Sequence, residues 1–179
     1  MFMDISTKAA GAGVGRRAHA RGMTLTELMI TLAVAAVLMV IGVPSFKNAS
    51  LGSRLSAAAN DLLASVQLAR SEAIKRNVAV TLCASADGAT CAAGGGWEQG
   101  WIIVASAAVI QVQQGLPNGY LLTQSGGTVP LSFQPIGLGA SAATFTVCRN
   151  DPDGSQERVL SVTAAGTAFV TRTTTGSCS

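Results

Sequence analysis

Glu27 is the one charged residue in the apolar run 23–43, MTLTELMITLAVAAVLMVIGV. An ionised carboxylate in such surroundings is costly unless a cation or hydrogen-bond donors meet it. Two chemistries fit. Thr24-Leu25-Thr26-Glu27 has the S/T-x-x-E spacing of a capping box, in which Glu27 would bond the first free backbone N–H groups of a helix. The alternative is that Glu27 takes a cation from another copy of the same helix, which turns an isolated cost into a matched pair.

The other reactive side chains favour stapling over catalysis. The single histidine, His19, precedes the run, so no imidazole follows it to serve as base or ligand. The serines after the run lack a plausible base, and Asp151 and Asp153 are the only paired carboxylates that stand out. Asp151-Pro152-Asp153-Gly154 matches a type I turn, with Asp first, Pro second and Gly fourth. With Ser155 it also resembles a fragment of a calcium loop, but a hard cation wants about six to eight oxygens and few are supplied here. The four cysteines, Cys83, Cys91, Cys148 and Cys178, contain no C-x-x-C and have no histidine beside them, which argues against zinc. They are expected to form disulfides, and four cysteines allow three connectivities. Cys83 with Cys91 closes a short loop around Asp87-Gly88, and Cys148 with Cys178 ties the tail to a strand, where a frayed end gains most from a staple. No enzyme, metal or cofactor is expected.

The elements that must hold these groups fall into three stretches. The run 23–43 is long enough for a helix to cross about 30 Å of hydrocarbon. Lys8, Arg16, Arg17 and Arg21 stand before it against Asp4 alone, whereas the chain from Met23 onward has as many acids as bases. The net charge of +3 therefore describes the N-terminal segment, and bulk charge gives no support for nucleic-acid binding. The same bias places the N-terminus in the cytoplasm and exports the rest. A cleaved secretory signal would have a shorter apolar core and a small-x-small site behind it, which this run lacks.

From Ser45 to Arg76 the pattern becomes amphipathic. Leu55, Ala59, Leu62, Val66, Ala69 and Ala73 form one helical stripe, expected to dock on the chain's own sheet. Lys47, Arg54, Asp61, Arg70, Glu72, Lys75 and Arg76 fill the other side. Gly42, Pro44 and Gly52 permit bending without ending the helix. After Asn77 the period changes, and strands are expected at 78–84, 101–105, 109–113, 120–123, 129–133, 144–148, 158–163 and 167–171. Pro130 marks its strand as an edge or a start. The strands on either side of Asp151-Pro152-Asp153-Gly154 should form a hairpin.

Arg21-Gly22-Met23-Thr24-Leu25-Thr26-Glu27-Leu28 resembles the class III signal of type IV pilins and type II secretion pseudopilins. The resemblance implies a prepilin peptidase that cuts between Gly22 and Met23 and methylates the new amine of Met23, with Glu27 as the acid required at the fifth mature position. It also implies a helix kink at Pro44. The family usually has Phe where Met23 stands, and the leader is long for many members. Later pieces are similar to the minor subunits of the GspH and FimT/FimU type: Gln67-Leu68-Ala69-Arg70-Ser71-Glu72-Ala73, Trp97-Glu98-Gln99-Gly100-Trp101, Phe133-x-Pro135-x-Gly137, Thr146-Val147-Cys148, and Arg158-Val159-Leu160-Ser161 leading to Gly166.

The implied fold is α+β, a long N-terminal helix packed on a C-terminal two-sheet antiparallel β domain. The implied organisation is a leader at 1–22, a transmembrane and assembly helix at 23–43, an amphipathic helix at 44–77 and a periplasmic β domain at 78–179. The implied function is a minor pilin or pseudopilin of the inner membrane that initiates or caps a filament, with prepilin peptidase, other pilins and secreted cargo as partners. Two rivals compete with it. FimT-like DNA binding uses a Gly-Arg-x-Arg stretch, but this chain reads Gly166-Thr167-Ala168-Phe169 there and keeps only Arg172 nearby. A plain bitopic protein with a periplasmic ligand-binding domain leaves Gly22, Glu27 and Pro44 as accidents.

Overall fold

The computed structural model describes residues 22–137, 142–150 and 156–175. Among these residues, helix α1 (Leu25–Arg76) is followed by eight strands: β1 (Val80–Ala84), β2 (Gly100–Ala105), β3 (Ala108–Gln114), β4 (Tyr120–Gln124), β5 (Leu131–Phe133), β6 (Ala143–Arg149), β7 (Glu157–Val162) and β8 (Ala168–Thr173). The chain divides into two compact units, one ending at Val43 and one starting at Pro44.

In the first unit, Thr24 begins the helix. Its hydroxyl accepts the Glu27 N–H at 3.2 Å and its carbonyl accepts the Leu28 N–H at 3.1 Å. This satisfies donors that would otherwise face apolar surroundings unpaired. Leu25–Val43 is long and apolar enough to cross a membrane, and none of it is buried within the protein. The helix passes through Pro44 without a break in its assignment. Pro44 has no N–H, so the Val40 carbonyl loses its intrahelical donor there.

In the second unit the helical stripe is the core. Leu55, Ala59, Leu62, Val66, Ala69 and Ala73 are all fully buried. They join one cluster with Val80, Leu82, Trp101, Ile103 and Phe133 from one sheet and Leu122, Phe145, Val147 and Leu160 from the other. The sheets have strand orders β3-β2-β1-β5 and β4-β6-β7-β8, and every pairing is antiparallel. The α+β fold with two antiparallel sheets is therefore the one expected. The helix ends at Asn77, whose φ of 54° is the left-handed conformation that Asn tolerates just past a helix.

Each expected strand is present, with shifted edges. β1 starts at Val80, two residues later than expected, and β5 starts at Leu131, directly after Pro130, on the edge of its sheet. β6 and β7 pair from Ala143↔Val162 to Val147↔Arg158, which is the hairpin expected there; the turn Asp151-Pro152-Asp153-Gly154 lies outside the described residues. β2 and β3 are joined by Ser106 and Ala107 alone, with φ of 46° and 66°. Positive φ at both positions is the type I′ geometry whose twist suits a two-residue hairpin.

Candidate functional site

Gly22 and Met23 are exposed, and Met23 precedes the first helical turn. Thr24, Glu27 and Thr31 share one face of α1 by their spacing of three and four residues. Thr31 turns its hydroxyl back to the Leu28 carbonyl at 2.9 Å, so it makes no demand on its surroundings. Glu27 differs. Its backbone N–H is capped by Thr24, but its carboxylate is exposed and meets no donor or cation among the described residues. Half of the expected capping box is thus present. Around it Leu28, Met29, Ile30 and Leu32 are all exposed by half or more, as are Leu38 and Ile41 further along. The carboxylate thus stands among uncovered apolar side chains.

The second unit holds its charged side chains in a different way. Sequence reading places Arg70 with the solvated side of α1. Instead it is half-buried, and its Nε donates to the Gly137 carbonyl at 2.8 Å while Nη1 reaches the Gly166 carbonyl at 3.5 Å. Three pieces of the sequence resemblance therefore meet at one guanidinium. Gly137 has φ of 77°, and a Cβ there would come within 2.8 Å of Ile74 Cδ1. Arg158 is buried on β7 and donates to Ser56 Oγ at 2.9 Å, to the Gly52 carbonyl at 3.2 Å and to the Glu157 carbonyl at 2.7 Å. Burial, and then the Arg172 charge across the strand pair, push the Arg158 guanidinium below its ordinary value. Glu157 is also buried, and its Oε2 accepts from the Thr173 hydroxyl at 2.9 Å and from the Thr175 hydroxyl and N–H at 3.0 and 3.3 Å. Neither Glu157 nor the anchoring roles of Arg70 and Arg158 were identified from sequence. A signal existed only in their neighbours, since Arg70 and Arg158 each fall inside a segment carrying the resemblance.

The Trp97-Glu98-Gln99-Gly100-Trp101 segment links the layers. Trp101 donates its indole N–H to Ser65 Oγ of α1 at 2.9 Å, and Trp97 donates to Gln124 Oε1 at 3.0 Å. The Trp97 ring stands edge-on to Phe145 with centroids 5.0 Å apart. Gly100 adopts φ of 116°, and a Cβ there would lie 2.6 Å from the Gln113 carbonyl oxygen. Only glycine fits at position 100.

Cys83 and Cys91 form a disulfide. The loop it closes is organised by Asp87, whose carboxylate accepts the Thr90 and Ala89 N–H groups and the Ser85 and Thr90 hydroxyls. The Thr90 N–H, then Ala89 and the two hydroxyls, hold Asp87 well below the usual carboxylate range. Cys148 is disulfide-bonded as well, whereas its expected partner, Cys178, lies outside the described residues. Asp151 and Asp153 lie outside them too, and among the described residues no cluster could hold a metal ion.

Comparison with known proteins adds to this geometry. Residues 58–166 match the family described as type II transport protein GspH, and residues 17–43 match the prokaryotic N-terminal methylation motif. Among solved structures, the type IV minor pilin FimU of Pseudomonas aeruginosa is similar in two crystal forms. The first is 28% identical with a TM-score of 0.54, covering 65% of this chain and 92% of that one. The second is 26% identical with a TM-score of 0.55, covering 66% and 89%. The minor pseudopilin EpsH of the Vibrio cholerae Type 2 Secretion System is 14% identical, with a TM-score of 0.49 over 66% of this chain and 96% of that one. A search of curated proteins finds no match.

Proposed function

We propose, on the premise that this chain belongs to the GspH family of minor pilins and pseudopilins, that it is a tip-complex subunit which starts or caps a filament. Residues 1–22 are a leader removed by prepilin peptidase, which cuts between Gly22 and Met23 and methylates Met23. Residues 23–43 then store the subunit in the inner membrane, with residues 44–77 and the β domain at 78–179 on the periplasmic side. Pro44 is the point where the helix bends as subunits pack. Cys178 is the partner of Cys148. The same rod and processing chemistry serve a type II secretion pseudopilus and a type IV pilus, and the role in assembly is common to both.

One observation carries this reading: among the described residues, the Glu27 carboxylate stands exposed and unpartnered on a helix whose apolar side chains are uncovered all round. The ammonium of Met23 on a neighbouring subunit supplies the missing cation, and the pair sets the register between helices. Removing one partner of a pair in an apolar setting costs about 3–5 kcal/mol, enough to reduce incorporation on the order of a hundredfold or more. Glu27→Ala is therefore expected to be cut and inserted like the unaltered chain, yet to be lost from sheared or purified filaments. Immunoblots of membrane and filament fractions separate these steps. Incorporation of the variant at the normal level overturns the pairing.

A further inference from the structure

Just past the candidate span, the second unit carries a groove of about 380 Å³ between the start of its helix and one end of the β4–β6 pair. Lys47, Ser50 and Arg54 line it from α1, and Tyr120 and Arg149, which are paired across β4 and β6, line it from the sheet. Among the described residues, its walls hold three cations and no carboxylate. Phe46 stands at its rim and is 76% exposed. Arg149 has an interaction of its own, so the argument rests on Lys47 and Arg54, both exposed. Asp61 lines the adjoining groove, which also includes Arg54 and Tyr120.

We propose that this groove receives the headgroup of an anionic phospholipid. The inference rests on the reading that Leu25–Val43 spans a membrane. Lys47 follows Val43 by only four residues, so its ammonium stays close to the headgroup layer that borders the span. Helical side chains lean toward the helix N-terminus, so Lys47, Phe46 and Arg54 lean toward the end of this unit that follows the span. Arg54 lines the same groove as Lys47, so one headgroup can meet both cations. An exposed Phe next to a span can bury its ring at the headgroup/acyl boundary, as the apolar face of an interfacial helix does. The hydroxyls of Ser50 and Tyr120 supply neutral donors to phosphate oxygens. An acidic protein surface would satisfy the cations but leave Phe46 unexplained, so the lipid is the better occupant.

Full-length chain in mild detergent, offered equal amounts of phosphatidylglycerol and phosphatidylcholine, tests this by native mass spectrometry of the retained lipid. Each cation near a charged surface contributes about fivefold, so Lys47 and Arg54 together should raise the preference for phosphatidylglycerol roughly 25-fold above what the basic residues before the span give. The Lys47→Gln/Arg54→Gln variant should lose that increment while keeping the melting temperature of the second unit. Equal retention of both lipids, or a preference as strong in the double variant as in the unaltered chain, overturns the site. A variant that binds lipid like the unaltered chain but fails to enter filaments also overturns it, in favour of an acidic protein neighbour. Alkaline extraction from liposomes tests the span separately: chain that washes out sinks the spanning reading, whereas chain that stays in without headgroup preference sinks only the groove.

Discussion

Two stretches of α1 use the same kinds of side chain to opposite ends. In Leu25–Val43, leucine, valine and alanine bury nothing within the protein, and Leu38 is 64% exposed. In the second unit, the same residue types at 55, 59, 62, 66, 69 and 73 are buried completely under two sheets. Charged groups divide the same way. The Glu27 carboxylate has no partner among the described residues, whereas Arg70, Arg158 and Glu157 are met by named donors or acceptors. The difference lies in who completes the helix. One stretch is left uncovered by the described chain, and the other is covered by it.

Paired substitutions can break that division most directly. Leu62→Ala is expected to cost the second unit about 2–5 kcal/mol, because the cavity left in the core cannot fully collapse. Leu38→Ala should leave the same transition within about 0.5 kcal/mol. Chemical denaturation of the full chain in detergent reads both, and similar losses from the two would show that the apolar stretch also supports the β layers.

Smaller changes sharpen the picture on the self-sufficient side. Arg70→Met keeps the aliphatic stem but removes the donors to Gly137 and Gly166, for a loss of about 1–3 kcal/mol. Faster amide exchange in those two loops, with β1 and β2 unaffected, is the accompanying sign. Ala107→Gly should raise stability by about 1 kcal/mol by relieving a left-handed backbone, and an unchanged or lower melting temperature would show that the turn is not strained.

The smallest effect expected is acid-dependent. The Asp87 carboxylate is held below its ordinary range by the Thr90 and Ala89 N–H groups, so its contribution is complete above that range. It is lost as the pH falls from about 4 toward the lowered folded value. Asp87→Asn should be less stable than the unaltered chain at neutral pH and should flatten the melting-temperature profile below about pH 4. Profiles that stay parallel down to about pH 2 would remove Asp87 from the account of the loop.

Much of this was legible in the chain because period and chemistry agree locally. The alternating four- and three-residue steps from Leu55 to Ala73 locate the buried stripe, and the β-branched runs locate every strand to within a few residues. The turn at Ser106-Ala107 was not legible, since neither residue announces a positive φ as Asn-Gly would. Pairing with β2 imposes it. Arg70 and Arg158 escaped for a related reason: an arginine on a helix or a strand reads as solvated unless the carbonyls it will meet are known. Those carbonyls lie 67 and 106 residues away in sequence. The Glu27 site was legible as an anomaly, an acid with nothing beside it to answer it.

The end of β8 and the short stretch after it have a practical meaning for anyone shortening the protein. Thr173 and Thr175 supply three donors to a carboxylate that is almost wholly shielded from water. Ending the polypeptide at Arg172 would remove all three at once, and bulk solvent is poorly placed to replace them. The safe boundary for a trimmed version therefore lies beyond Thr175.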